Sequence, residues 1–343
     1  MGLIRAALAL ALLAGAAQAD TVRIATYDPG LSRKGPGLLL KDIQSGKDKQ
    51  VAAAVAVIAA ADADVVVLTG IDWDYDGRAL TALQAALADA GADYPHRFAG
   101  TPNAGVATGL DLNGDGRLGT GDDAQGFGFF TGQGAMAVLS RRPLGAVRDY
   151  SDVLWRDLPG NLMPKAADDV AVIQRLSSVA HWDVPVQIGG QTLHVLAMAA
   201  TTPVFDGPED RNGRRNHDEL AFWQAHLPDA PFVIAGRLNV DPADGDGLRD
   251  AWDAIQAVVQ DPLPRSEGGV MAATPGHRGD PGLDTAAWSK ADGPGNLRVD
   301  YVLPAKSLRV TDAGVLWPPT GAPLATEVSL ASDHRLVWVD LAF

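Results

Sequence analysis

A mixed α/β fold with mainly antiparallel sheets is predicted by three features of the chain. Short β-branched runs alternate with Ala/Leu-rich helical runs from Asp20 onward, strand runs outnumber helical ones, and Ile188-Gly-Gly-Gln191 joins two apolar runs in the manner of a tight hairpin. Taken in order, Val22–Thr26 reads as a strand, Lys49–Ala61 as an alanine-rich helix, Val65–Leu68 as a buried strand because its apolar run is unbroken, and Arg78–Ala90 as a helix. Strands follow at Ala135–Leu139, Trp182–Ile188, Leu193–Ala197, Phe232–Ala235, Arg298–Leu303 and Leu336–Leu341, with helices over Asn216–His226 and Leu248–Val259. No fixed-period repeat and no Pro/Ser linker divides the chain, so residues 20–343 are expected to form one domain. Two stretches, 100–134 and 265–296, read as loops longer than compact domains usually carry, which points to function or to organisation by a metal.

Composition narrows the chemistry. The 343 residues hold 28 Lys+Arg against 42 Asp+Glu, a formal net charge of −14, and no run of basic residues interrupts the acidic balance. Such a surface repels a phosphate backbone, so extended nucleic-acid binding is not expected. The absence of cysteine removes disulfides, thiol nucleophiles and Cys-ligated zinc together.

The first 19 residues read as a cleavable export signal. A positive start (Met1–Arg5) precedes an apolar segment (Ala6–Ala17) and the small-residue site Ala17-Gln18-Ala19. An apolar segment of about twelve residues is too short to cross a bilayer core of about 30 Å. Export to the periplasm or beyond is therefore expected, with no membrane attachment once the signal is removed.

Within the first long loop, Asp111, Asn113, Asp115 and Asp122 stand at positions 1, 3, 5 and 12 of an EF-hand-type spacing. Gly116 is at position 6, and the Arg117 carbonyl is available at position 7. Hard oxygen donors at that spacing suit Ca²⁺, against an Asp/Gly turn cluster without metal. The last acid is aspartate rather than glutamate and no helical pattern flanks the loop, so a structural role is expected.

Six fragments in order resemble one superfamily: Val22-Arg-Ile-Ala-Thr-Tyr27-Asp28, Asp64-Val-Val-Val-Leu-Thr-Gly70, Ala137-Val-Leu-Ser-Arg141, Phe232-Val-Ile-Ala-Gly-Arg237-Leu-Asn239, Leu297-Arg-Val-Asp300-Tyr-Val-Leu303 and Ser332-Asp333-His334-Arg335. Together they resemble the endonuclease/exonuclease/phosphatase superfamily, the deoxyribonuclease-like fold, across Asp20–Phe343. The resemblance implies an α/β/β/α sandwich with two packed sheets and, at one end, carboxylates and an asparagine that hold Mg²⁺ or Mn²⁺ beside a His–Asp pair.

Carried over residue by residue, the resemblance is incomplete. It implies catalytic roles for His334, Asp333, Asn239 and Asp300, with His334 as general base and Asp333 positioning a metal or the histidine. Asp28 replaces an asparagine and remains able to bind a cation. Gly70 stands where the superfamily has a metal-binding glutamate, Ala199 falls near a catalytic histidine, and Arg237 replaces an aspartate, reversing a charge. Asp72 and Asp74 could restore the missing ligand only if the turn were rearranged. Arg237 either grips an anion in place of a cation or pairs with Asp28 or Asp333 in a lost site. Around Asp206, Glu209, Asp210, Arg211, Arg214 and Arg215, an internal salt-bridge network is expected, with Arg211 a candidate anion contact. Two functions follow: an exported metal-dependent hydrolase of small phosphoesters with a divergent site, or a non-catalytic, calcium-stabilised anion-binding protein of the same fold.

Overall fold

The computed structural model describes residues 21–165, 168–288 and 293–343, so the expected export signal lies outside the described residues. In chain order the elements are β1 (Thr21–Tyr27), α1 (Leu38–Ser45), α2 (Lys49–Ala61), β2 (Val65–Ile71), α3 (Arg78–Asp89), β3 (His96–Phe98), β4 (Ala135–Ser140), β5 (Arg148–Asp149) and α4 (Asp168–Ala171). They continue as β6 (His181–Ile188), β7 (Gln191–Ala199), α5 (Arg211–Ala225), β8 (Phe232–Arg237), α6 (Arg249–Gln256), α7 (Glu267–Met271), β9 (Ala286–Trp288) and β10 (Gly295–Leu297). The last are β11 (Asp300–Pro304), β12 (Arg309–Leu316), α8 (Ala325–Ala331) and β13 (Leu336–Ala342).

Two large sheets form, in the orders β12-β13-β1-β2-β4-β3 and β11-β8-β7-β6-β5, with β9 and β10 as a separate hairpin. Only β1/β2 and β7/β8 pair in parallel; the other pairings in these sheets are antiparallel. Side chains alternate across each strand, so Ile24, Val65 and Val67 point inward against Val184, Val195 and Val233 of the facing sheet. Their neighbours Ala25, Val66 and Leu68 point outward, where Ile43, Ile58, Leu83 and Val328 of α1, α2, α3 and α8 cover them. On the second sheet, Leu196, Ile234 and Tyr301 are covered by Leu220, Trp223 and Trp252 of α5 and α6. The result is the four-layer α/β/β/α sandwich.

Several elements differ from the sequence reading. Helices α1 and α8 and strand β12 were not expected: two are helices of eight and seven residues, and β12 is an edge strand with a largely exposed, polar first half. Helix α5 begins at Arg211 rather than Asn216, and α6 is shorter than its apolar pattern. The 265–296 stretch contains α7 and the β9–β10 hairpin, whereas 100–134 is loop apart from one short 3₁₀ turn, Gly121–Asp123.

Helix α5 anchors the loops around the end of the sandwich. Arg215 and Glu219, one helical turn apart, both face the interior. The Arg215 guanidinium donates to the carbonyls of Leu176, Gln125, Arg175 and Ser177 at 2.6–3.1 Å. Glu219 accepts the Ser178 and Thr201 amides, each at 2.6 Å. Burial pushes the Glu219 carboxyl upward against the pull of Arg215 and these amides. Removing the guanidinium would leave the Leu176, Gln125 and Arg175 carbonyls without it and the buried Glu219 carboxyl without its counter-charge, so Arg215→Met is expected to destabilise the fold by about 3 kcal/mol, read as a lower urea midpoint.

Candidate active site

Four strand ends meet at one end of the sandwich. Asp28 follows β1, Gly70 lies near the end of the parallel neighbour β2, Arg237 ends β8, and Asp300 begins β11, with His334 two residues before β13. Asp28 belongs to the first sheet and Arg237 to the second, and they form a direct ion pair through Nη1 and Oδ2. A second cross-sheet pair joins His334 Nδ1 to Asp300 Oδ2 at 2.7 Å, leaving Nε2 as the nitrogen available to a ligand.

Two glycines permit the first pair. Gly236, at φ +148°, lets β8 approach β7 so closely that an added Cβ would lie 1.8 Å from the Met198 carbonyl oxygen. Arg237 follows it directly. Gly70, at φ +59°, leaves its side-chain space to Asp28, whose carboxylate oxygens stand 2.1 and 2.4 Å from where a Cβ would be. The residue at 70 is therefore small because another side chain occupies the volume. The Gly30 amide completes the Asp28 site at 3.0 Å.

Burial alone would raise the Asp28 carboxyl, but His334, Arg237 and the Gly30 amide outweigh it and hold it below the usual carboxylate range. Burial likewise opposes charging of His334, yet Asp300 and Asp28 together raise it above its ordinary value. The His334 ring thus stands beside two carboxylates that both favour its charged form, against burial and the nearby Arg237.

Arg237 lines a cleft of about 750 Å³ together with Asp28, Gly70, Asp122, Arg211 and Arg215. A smaller cleft of about 430 Å³ on the other side of Asp28 is lined by His334, Asp333 and Ser332. Asp28 lines both.

These positions correct several expectations. His334 is held by Asp300, whereas the Asp333 side chain is exposed and the Asp333 carbonyl accepts the Ala287 amide. Arg237 pairs with Asp28, not Asp333. Asn239, at φ +53°, donates to the Ala200 carbonyl at 2.7 Å and so braces the cleft wall. The Asp72 carboxylate accepts the Arg33 and Gly134 amides, and Asp74 caps α3 through the Arg78 and Ala79 amides, so neither replaces the missing ligand at Gly70. The expected salt-bridge network around 206–215 is absent among the described residues. Arg215 is turned to carbonyls, Asp206 takes the Asn212 amide, and Arg211 forms no ion pair.

In the Asp-rich loop, the Asp111 carboxylate accepts the amides of Gly114, Asp115 and Gly116, Asn113 accepts that of Asp115, and Asp115 accepts that of Arg117. The acid that fastens the far end is Asp123, through Leu112 and Thr120, while Asp122 turns to the cleft wall. Among the described residues no group of three or more His, Asp or Glu side chains converges as a metal cage.

The endonuclease/exonuclease/phosphatase family model matches residues 43–334. The chain belongs to that family. Similar folds occur in a family protein from Beutenbergia cavernae, at 20% identity, TM-score 0.56, covering 94% of this chain and 72% of that one. A family protein from Leptotrichia buccalis shares 13% identity at TM-score 0.54, covering 94% and 100% of the two chains. One from Bacteroides thetaiotaomicron shares 15% at TM-score 0.52, covering 95% and 99%. No curated protein matches.

The Mg²⁺ or Mn²⁺ expected from the family does not fit these residues. Asp28 is committed to a guanidinium, Gly70 offers no donor, and the space a ligand at 70 would need is filled. Beside Asp28 the Arg237 Nε is buried without a partner, and a guanidinium nitrogen donates and cannot ligate a metal.

Sequence reasoning missed Glu219, Phe127 and Phe205, which shape the cleft. The helical Arg215/Glu219 spacing was a signal for the first; no local pattern marks the two rings.

Protonation links the site to pH. Asp28 contributes stability above 3.8 and loses it as pH falls through its lowered value, whereas His334 contributes below 6.5 and loses it as pH rises through its raised value. Their mutual attraction is fullest between those limits. Asp300→Asn is expected to move the His334 midpoint downward in a side-chain NMR titration, and an unmoved midpoint would remove Asp300 as its cause.

Proposed function

We propose that this chain is an exported, phosphate-ester-binding member of its family in which Arg237, rather than a divalent cation, supplies the positive charge at the site. The observation that carries the reading is the Asp28–Arg237 pair seated in the space above Gly70. A guanidinium offers several donors in a planar fork and suits phosphate oxygens. Its Nε is buried without a partner, and Arg211 adds a second cation on the same cleft. Burial lowers the Arg211 pKa from its ordinary value against the pull of Asp122, Glu209 and Asp206. The net charge of −14 favours a small phosphoester over a long polyanion.

A second reading, hydrolysis, is favoured by the His334–Asp300 pair, which holds an imidazole at the edge of the neighbouring cleft. Within it, His334 would move a proton at Nε2 and Asp300 would orient the ring. The metal-dependent form of this reading lacks its ligand set here. Restoring it by Gly70→Glu would also require Arg237→Asp, so that Asp28 could leave the occupied space.

Calcium belongs to this proposal as a structural ion held by Asp111, Asn113, Asp115 and the Arg117 carbonyl. Three of the loop's oxygen-bearing side chains, Asp111, Asn113 and Asp115, accept backbone amides of residues 114–117. Their binding would steady the segment carrying Asp122 into the cleft wall.

The mature chain is expected to bind p-nitrophenyl phosphate in EDTA as well as in Mg²⁺, measured by calorimetry. Arg237→Lys should weaken binding about tenfold or more by losing the fork. Metal-dependent turnover abolished by His334→Ala would overturn the cation-free reading in favour of hydrolysis. For the loop, saturating Ca²⁺ should raise the melting temperature by about 3 °C or more over EGTA, and Asp111→Ala should abolish that rise.

A further inference from the structure

Two aromatic rings stand largely exposed at the cleft. Phe205 is 90% exposed and Phe127 is 63% exposed, and both line the cleft that holds Arg237 and Arg211. Exposed rings of this size forgo the burial that normally stabilises them.

The chain nevertheless fixes Phe205 in place. Its φ of +69° lies in the left-handed region, uncommon for a bulky side chain and retained only where the surroundings enforce it. Asn212 supplies that enforcement from the first turn of α5. Its side-chain amide donates to the Val204 carbonyl at 2.8 Å, and its main-chain amide donates to the Asp206 carboxylate, so the residues on both sides of Phe205 are tied to one anchor. Arg211, the neighbour of that anchor, is the cation of the same turn. Phe127 arrives from the other loop, its ring over Gly121, where an added Cβ would lie 2.9 Å from Cε2, and edge-on to Phe129 at 5.4 Å between centroids. Two rings from two loops are thus presented beside Arg211 of α5 and Arg237 of β8.

Building on the anion reading above, we infer that this cleft selects phosphate esters whose organic group is a planar aromatic ring, the phosphate going to Arg237 and Arg211 and the ring to Phe205 and Phe127. An aliphatic ester would satisfy the arginines and leave both rings in water. An aryl ester covers them, and offset or edge-to-face contact adds to the area effect.

The test compares p-nitrophenyl phosphate, ethyl phosphate and inorganic phosphate on the full chain by calorimetry in EDTA. The aryl ester is expected to bind about tenfold more tightly than ethyl phosphate. Phe205→Ala should reduce that preference to about twofold while leaving phosphate affinity unchanged, Phe127→Ala should act in the same direction, and Phe205→Tyr should retain it. Equal affinity for both esters in the unmodified protein, or a preference indifferent to both alanine variants, would overturn the aromatic subsite while leaving the arginine reading intact. Failure of all three ligands to bind would overturn both.

Discussion

Burying Arg237 beside Asp28 removes both groups from much of their water, and neither charge would be tolerable there alone. The carboxylate is held by a guanidinium from the facing sheet, by the Gly30 amide and by the nearby His334, while Gly236 and Gly70 make room for the meeting. Those contacts fix the distance between the sheet ends. They also determine what the end of the sandwich can accept, since a carboxylate already matched to an arginine is a poor cation ligand and an arginine with spare donors is a good anion partner. The fold is the family's, whereas a guanidinium paired to a carboxylate stands at its mouth.

Much of the architecture was legible from alternation alone. The core strand at 65–71 announces itself by the unbroken apolar run at 65–68 and extends three residues beyond it, and helix α2 matches its alanine-rich segment end to end. What escaped detection was short or polar. Helices of seven or eight residues span about two turns, too few for a 3.6-residue period to stand out, and β12 is an edge strand whose exposed half looks like loop.

The site was legible in its substitutions but not in its pairings. Arg237 and Gly70 could each be seen as departures from a pattern, yet sequence gives no sign that the carboxylate of Asp28 fills the space at 70, because those residues meet only once β1 and β2 pair and Arg237 arrives from the facing sheet. Asp333 stood next to His334 in the chain and was the natural partner for it. Three-dimensional adjacency instead selected Asp300, from the other sheet. Arg215 shows the same lesson: acidic neighbours in sequence suggested ion pairing, but the helix turned it toward loop carbonyls that no composition argument could locate.

Strand β1 occupies an interior position in the six-stranded sheet, and its partner on one side is β13, so Thr21 lies opposite Ala342. The pairing of β1 on that side therefore waits for residues 336–342. Until residues 336–342 are synthesised, β1 has an open edge, and the buried cross-sheet pair at its end lacks His334 nearby. Completion of the domain is thus a late, non-local event, slow in the way that long sequence separations make pairing slow. A nascent or prematurely ended chain would display an unpaired apolar edge through that interval, the kind of template on which strands from other molecules assemble.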